Sequence, residues 1–137
     1  DKIDYWFSII KDFGVLSVKD DNLLINTISD NCLKYFELNT GKNIDGWNLT
    51  GGSVYVFDFD LPLCNKIFEQ WAEFESQGLF GTQSDLTNNR IQNHRMDETC
   101  MALSLYTNGS RPLGYDEMKY AIERPSNKPI VIKRHFK

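Results

Sequence analysis

The sequence is poor in cysteine and has no closely spaced cysteine pair. Its three cysteines, Cys32, Cys64 and Cys100, lie far apart along the chain. An odd number of cysteines at wide spacing is a poor fit to a zinc site or to a disulfide framework. Because Cys64 and Cys100 fall within helical apolar patterns, we expect them to be small buried side chains in a reducing compartment.

Excess positive charge and long apolar runs are also missing. The formal net charge at pH 7 is -4, and the one basic cluster, Lys133, Arg134 and Lys137, is terminal. An acidic chain repels a phosphate backbone at long range, so no nucleic-acid partner is expected and the cluster is explained as a solvated tail. The absence of a long apolar run and of a signal peptide predicts no membrane span and favours a cytoplasmic location.

The chain has the size of one domain, and its composition allows a core. It has 137 residues, of which 41% are hydrophobic. It begins at Asp1 rather than at Met, and a helical pattern starts at once. Strands are fewer than in most free-standing α/β domains of this size. We therefore expect residues 1–137 to be a single domain that forms the C-terminal part of a larger one, whose N-terminal half is missing.

Hydrophobic periodicity predicts an α/β fold in which a few strands are flanked by three main helices. Helical patterns cover residues 4–13, a segment that begins near residue 30, residues 60–78 and residues 96–106. Strand patterns cover residues 15–18, 53–59 and 130–132. Ser29 or Asp30 is the expected cap of the second helix. Asp60, with Pro62 in the first turn, is the expected cap of the third.

A loop ahead of the second predicted strand combines an aromatic ring, polar side chains and a double glycine. Trp47 can offer a flat face to the C–H face of a sugar, and Asn48 and Thr50 can hydrogen-bond its hydroxyls. Gly51 and Gly52 allow another group to approach the backbone closely. The structural alternative is a tight loop with a core tryptophan.

A second group of polar residues opens the last predicted helix. His94, Arg95, Asp97 and Glu98 stand together there, ahead of an apolar helical pattern. A carboxylate at this place can act as a general base on a reacting hydroxyl or can hold an acceptor. The alternative is a charged helix start, which the helix dipole favours by itself.

Two further motifs contain residues that could bind a metal ion. His135 could complete a divalent site with carboxylates from elsewhere, although a lone terminal histidine is more often surface decoration. Asp58-Phe59-Asp60 has the Asp-x-Asp spelling, but in this strand-to-helix context Asp60 is better explained as a helix cap.

Taken in order, these segments resemble the C-terminal, acceptor-side half of glycosyltransferases of the GT-A type. The resemblance runs from Trp47 to Pro112. It consists of a Gly-Gly strand that ends in Phe-Asp, a helix with Pro and Trp, the His94-Arg95-Met96-Asp97-Glu98 helix start, and Asn-Gly. The resemblance implies an α/β sandwich around a mostly parallel sheet. It also implies transfer of a sugar from a nucleotide-sugar donor to a hydroxyl of a carbohydrate acceptor.

The resemblance further implies roles for the residues singled out above. Trp47, Asn48, Gly51 and Gly52 would line the sugar pocket, with Thr50, His94 and Arg95 among the substrate-binding residues. Asp97 or Glu98 would lie at the acceptor as the catalytic carboxylate. The pocket and the start of the last helix would therefore face one shared cleft. Mn or Mg would bridge the donor diphosphate in the full-length enzyme, and His135 would match a C-terminal histidine ligand of some members.

The N-terminal helix resembles one that precedes an Asp-x-Asp motif in capsular-polysaccharide and initiating mannosyl transferases. Here that place holds Leu16 to Asp21, in which Asp20 and Asp21 are either a degenerate metal motif or not the motif at all. We therefore expect the chain to be inactive as an isolated fragment. The alternative function is a non-catalytic carbohydrate-binding or interaction domain derived from a transferase fold.

Overall fold

The computed structural model describes residues 2–81 and 96–114. Helices and strands alternate along this part of the chain, which confirms the α/β class. The elements are α1 (Lys2–Phe13), β1 (Val15–Leu23), a 3-10 turn (Leu24–Asn26), α2 (Asp30–Thr40), β2 (Asn48–Phe57), α3 (Pro62–Ser76) and α4 (Met96–Thr107). All the predicted helical segments are helices, so the described residues contain four α-helices rather than three. The predicted strand at residues 130–132 lies outside the described residues.

Three features were predicted at the starts of α2 and α3, and two of them are confirmed. The Ser29 hydroxyl caps α2 by accepting a hydrogen bond from the Cys32 amide at 3.2 Å, as predicted. Pro62 occupies the first turn of α3, also as predicted. The prediction that Asp60 caps α3 is wrong, because the cap position is held by Leu61 without a side-chain bond.

The two strands pair antiparallel, and each contains an irregularity. Strand β2 begins at Asn48 rather than at Ser53, since its first residues already pair with β1: Thr50 lies opposite Lys19 and Asn48 opposite Leu23. On β1, residues 20–22 bulge between these two pairs. Strand β1 is therefore longer than the apolar run at residues 15–18 that predicts it, because exposed polar residues continue its pairing with β2.

One parallel contact extends the sheet. Leu113 forms a bridge with Val18, in which the Leu113 amide donates to the Ser17 carbonyl at 2.8 Å. The Lys19 amide donates to the Leu113 carbonyl at 2.7 Å. The resemblance implies a mostly parallel sheet, whereas the strand pairing among the described residues is antiparallel apart from this bridge.

Helices cover both faces of the sheet. Leu16 on β1 packs against Ile10 of α1, whereas its neighbour Val15 faces Ile67 of α3 and Met101 of α4. This alternation is the period of two that a strand buried on both faces requires. A third cluster packs α2 against α4 and the loop before β2. Its largest buried members are Leu24, Ile28, Phe36, Ile44, Leu49 and Leu103.

The three cysteines are buried free thiols, which confirms the prediction for Cys64 and Cys100. The side-chain hydrogen bond between Cys100 and Cys32 and burial both raise the pKa of Cys100, and burial raises the pKa of Cys64. The thiols therefore act as small core residues.

None of the helices in residues 2–81 and 96–114 combines the length and the apolar content that crossing a bilayer requires.

Candidate functional site

A bulge in β2 brings Thr50 and Tyr55 to the same face of the sheet. Gly51 pairs with Val18, and Tyr55 pairs with the next residue of β1, Ser17, so residues 52–54 have no partner on β1. Thr50 and Tyr55 therefore lie opposite Lys19 and Ser17, which are two residues apart and share a face. The two side-chain hydroxyl oxygens are 3.0 Å apart.

The first turn of α4 is tied to this pair of hydroxyls. The Thr50 hydroxyl donates to the Glu98 backbone carbonyl at 2.9 Å. On the neighbouring helix α3, the Trp71 indole donates to the Asp97 carbonyl at 3.1 Å. Two side chains from two different elements thus hold consecutive carbonyls of the same helical turn. These two bonds fix the position of the backbone from which the Asp97 and Glu98 side chains extend.

The electrostatics of the cluster agree with its geometry. Burial raises the pKa of Tyr55 well above its ordinary value, and the carboxylates of Asp97 and Glu98 raise it further. Their effect places negative charge near the Tyr55 hydroxyl. Asp97 is half-buried, and no hydrogen-bond donor among the described residues meets its carboxylate. A half-buried carboxylate beside a neutral hydroxyl is chemically suited to accept a proton or a hydroxyl hydrogen bond.

Trp47 and Asn48 lie at the other end of α4. The Trp47 ring stacks on Tyr106, with ring centres 4.6 Å apart and an angle of 11° between the ring planes. Phe36 packs against it nearly perpendicularly. The Tyr106 hydroxyl also accepts a 3.0 Å hydrogen bond from the Asn48 amide. One face of the indole is therefore covered by protein, and at most its second face is left for a sugar.

The double glycine does not bring another backbone group close at its first residue. A Cβ atom added to Gly51 would lie 3.7 Å from the Val18 carbonyl oxygen, an ordinary contact distance. Gly51 instead stands at the edge of the bulge, where the chain leaves the regular ladder, and Gly52 is the first residue of the bulge without a partner on β1. The glycines thus coincide with the irregularity that joins Thr50 to Tyr55.

The residues with predicted metal roles do not come together in the described part of the chain. Asp20 and Asp21 lie in the β1 bulge, where the Asp20 carboxylate accepts bonds from the Asn22 amide at 2.8 Å and from its side chain at 2.7 Å. His135, together with His94 and Arg95 of the predicted substrate site, lies outside the described residues. Residues 2–81 and 96–114 contain no group of three potential metal ligands.

An open pocket of about 360 Å³ lies at the end of α2. Its walls come from the 3-10 turn, from α2 and from the loop that follows α2; they are Ile25, Glu37, Gly41, Lys42, Asn43, Ile44 and Asp45. None of the residues predicted to bind sugar lines this pocket.

Comparison with family models, curated proteins and solved structures found no match to this chain.

Three residues of the site were not among the predicted site residues. The Tyr55 hydroxyl contacts the Thr50 hydroxyl, the Trp71 indole donates to the Asp97 carbonyl in the first turn of α4, and Tyr106 contacts Trp47 and Asn48. Their spacing in the sequence is typical of core aromatics, so it gives no functional signal. Each carries a polar atom, and a buried Trp or Tyr usually finds a hydrogen-bond partner. The sequence does not show which partner it finds.

Proposed function

We propose that this chain is the acceptor-side half of a GT-A type glycosyltransferase that uses a nucleotide-sugar donor and a carbohydrate acceptor. The observation that supports the proposal most is the hydrogen bond from Thr50 to the Glu98 carbonyl. It joins the Gly-Gly strand to the helix start with the two carboxylates, two segments that are far apart in sequence. The resemblance assigns both segments to one site, although Trp47 and Asn48 of the first segment lie at the other end of α4.

The chemistry of transfer requires a base for the acceptor hydroxyl. Asp97 has the half-buried carboxylate for this role, and its backbone is held by Trp71. In the proposed reaction Asp97 takes the proton of the acceptor hydroxyl as its oxygen attacks the anomeric carbon, and the nucleoside diphosphate leaves. Thr50 is a positioning residue, because it acts through the helix turn. Glu98 is the second candidate for the base.

The resemblance implies Mn or Mg on the donor diphosphate, and the described residues do not fit such an ion. No group of three ligands exists among them, and the Asp20 carboxylate already accepts two hydrogen bonds from Asn22. No step of the proposed reaction in this chain is therefore assigned to a metal.

The test is an Asp97→Asn substitution in a polypeptide that also carries the donor-binding half. Asn keeps the size of the side chain and leaves the backbone bond from Trp71 in place, so the fold should survive. Release of UDP or GDP from a panel of nucleotide sugars, measured with mixed glycan acceptors, should fall at least about 100-fold, the usual contribution of a general base. Asp12→Asn, at an exposed carboxylate on α1, is the matched control and should leave turnover unchanged. Unchanged turnover in Asp97→Asn would remove Asp97 from the reaction.

The alternative is a carbohydrate-binding domain without catalysis. It predicts that the longer polypeptide binds a glycan but releases no nucleotide from any donor. Donor binding measured by calorimetry separates the two functions, since a domain that only binds glycans has no need of a nucleotide sugar.

A further inference from the structure

Two phenylalanine rings form an exposed aromatic surface where β2 leads into α3. Phe59 is 53% exposed and Phe68 37% exposed. Phe59 lies parallel to Phe57, with 5.6 Å between ring centres and 3° between ring planes. Phe68 stands perpendicular to both rings at 5.5 Å and 5.2 Å. One side of Phe59 therefore meets Phe57, and much of the rest of its ring faces solvent. We call these three rings the aromatic platform.

The backbone beneath the platform is fixed by side-chain hydrogen bonds. The Asp58 carboxylate accepts a bond from the Asp60 amide at 3.1 Å. The Phe59 carbonyl accepts a bond from the Asn65 side chain of α3 at 2.9 Å. An exposed ring whose backbone is held on both sides loses little conformational freedom when a ligand binds, which favours binding.

The size of the platform argues against a protein partner. Phe and similar side chains expose on the order of 200 Å² when free, so the two partly exposed rings together offer roughly 200 Å². A stable protein interface buries about 800 Å² on each partner. One pyranose ring, by contrast, is of the size that a single aromatic side chain covers.

The acidic residues next to the platform in the sequence limit further which kinds of ligand could bind to it. Asp58 and Asp60 flank Phe59 in the sequence, and Glu69 follows Phe68. Asp60 and Glu69 are exposed. Carboxylates repel phosphate groups, so these charges disfavour an anionic lipid surface or a nucleic acid. They accept hydrogen bonds from hydroxyl groups, which a sugar presents around its ring.

We propose that the aromatic platform binds a sugar unit of a neutral carbohydrate, with the C–H face of the sugar on Phe59 and its hydroxyls on Asp60. Trp71 connects the platform to the candidate site, because its ring lies 6.4 Å from Phe57 and its indole donates to the Asp97 carbonyl. The sugar bound here is then a distal unit of the acceptor, a role that rests on the proposed transferase function. Binding of a carbohydrate by the platform does not depend on that function.

The experiment uses a glycan array to find the bound carbohydrate, followed by calorimetry with the strongest neutral oligosaccharide on the array. Phe59→Leu keeps an apolar side chain but removes the flat ring, and should weaken binding about tenfold. Phe59→Tyr keeps the ring and should restore binding to within about threefold, a difference below one kcal/mol. Leu38→Ser is the control, since Leu38 is an exposed apolar residue on α2 with 77% of its surface accessible. It should leave binding unchanged. The far-ultraviolet circular dichroism of each variant verifies its fold.

Three outcomes would overturn the proposal: no glycan on the array is bound, the bound glycan is acidic, or Phe59→Leu binds as tightly as the parent protein. The two proposals fail separately. Loss of binding in Phe59→Leu together with unchanged turnover in Asp97→Asn supports the platform and contradicts the assigned base. Unchanged binding in Phe59→Leu together with lost turnover in Asp97→Asn contradicts only the platform.

Discussion

The Thr50 side chain and the Glu98 backbone are joined by a 2.9 Å hydrogen bond across 48 residues of sequence. This bond fixes the distance between the sheet and the first turn of α4. The bulge in β2 brings Tyr55 within 3.0 Å of the same hydroxyl. A residue of β2 thereby holds the first turn of α4, which carries both candidate catalytic carboxylates.

Replacing Thr50 with Val should destabilise the protein by about 1–3 kcal/mol, because it removes a buried bond and leaves the Tyr55 hydroxyl without its partner. The free energy of unfolding can be measured by urea titration. The backbone amides of residues 100–103, which donate to the carbonyls of the first turn of α4, should also exchange with solvent faster than in the parent protein. The change in exchange should be local, since Thr50 is tied to that turn and not to the rest of the helix.

Two variants control for the loss of the hydroxyl. Thr50→Ser keeps the hydroxyl and should retain most of the protection in α4. Thr40→Val removes a hydroxyl that donates to the Phe36 carbonyl within α2, so it should leave exchange in α4 unchanged. Equal protection of the α4 amides in Thr50→Val and the parent would show that this hydrogen bond does not position the helix.

The stability of the protein should fall at alkaline pH, in part through Tyr55. Burial holds the pKa of Tyr55 above its ordinary value, while tyrosines of the unfolded chain ionise near pH 10. The stabilisation is therefore fully present below about pH 10 and is lost as the pH rises from there toward the folded-state pKa. In that range the unfolded chain binds fewer protons than the folded one, so the free energy of unfolding decreases.

The Tyr55→Phe variant isolates this effect. Its free energy of unfolding should decrease less steeply above about pH 10 than that of the parent, because one of the contributing groups is gone. Absorbance of tyrosinate gives an independent measurement: the folded parent should contain a tyrosine that resists ionisation and that the variant lacks. In denaturant the tyrosines of both proteins should titrate together. Parallel stability curves for the two folded proteins would contradict a buried, neutral Tyr55.

Local patterns in the sequence predict the helices well and the sheet less well. The helical stripes and the Ser29 cap depend on neighbours within a few residues, and the structure reproduces them. The sequence predicts that β2 begins at Ser53, because Asn48 and Thr50 are polar, whereas the strand begins at Asn48. They pair with the polar end of β1, a partner that is distant in sequence. Such non-local pairing leaves no periodic signal in either segment.

In the candidate site too, features that depend on local sequence are predicted better than those that depend on distant contacts. The residue types at Thr50, Asp97 and Glu98 indicate polar chemistry, and the structure brings these three together. The role of Trp47 was harder to predict. An isolated Trp beside polar residues looks like a sugar-stacking surface, yet Tyr106 covers one of its faces. Which face of a ring is covered depends on a helix that begins 49 residues later, as the numbering of Trp47 and Met96 shows.

Gly14, which ends α1, should tolerate substitution less well than Gly41, which ends α2. Both adopt the left-handed conformation, with φ of 76° and 63°, and an Ala there costs about 1–2 kcal/mol. At Gly14 an added Cβ would also lie 2.7 Å from Ile67 and 2.8 Å from Leu63, whereas at Gly41 it would meet nothing within 4 Å. Displacing packed core side chains typically costs about 1–3 kcal/mol more.

We therefore expect Gly14→Ala to lower the free energy of unfolding by about 2–5 kcal/mol and Gly41→Ala by about 1–2 kcal/mol. Chemical denaturation of the two variants under the same conditions measures the difference. Because the backbone cost is shared, the difference reports the packing of α3 against the turn between α1 and β1. A second pair, Leu63→Ala alone and combined with Gly14→Ala, tests this cause. Since Leu63→Ala makes room near the added Cβ, the Gly14 substitution should cost less in that background. An equal cost for Gly14→Ala and Gly41→Ala would mean that α3 does not pack closely against this turn.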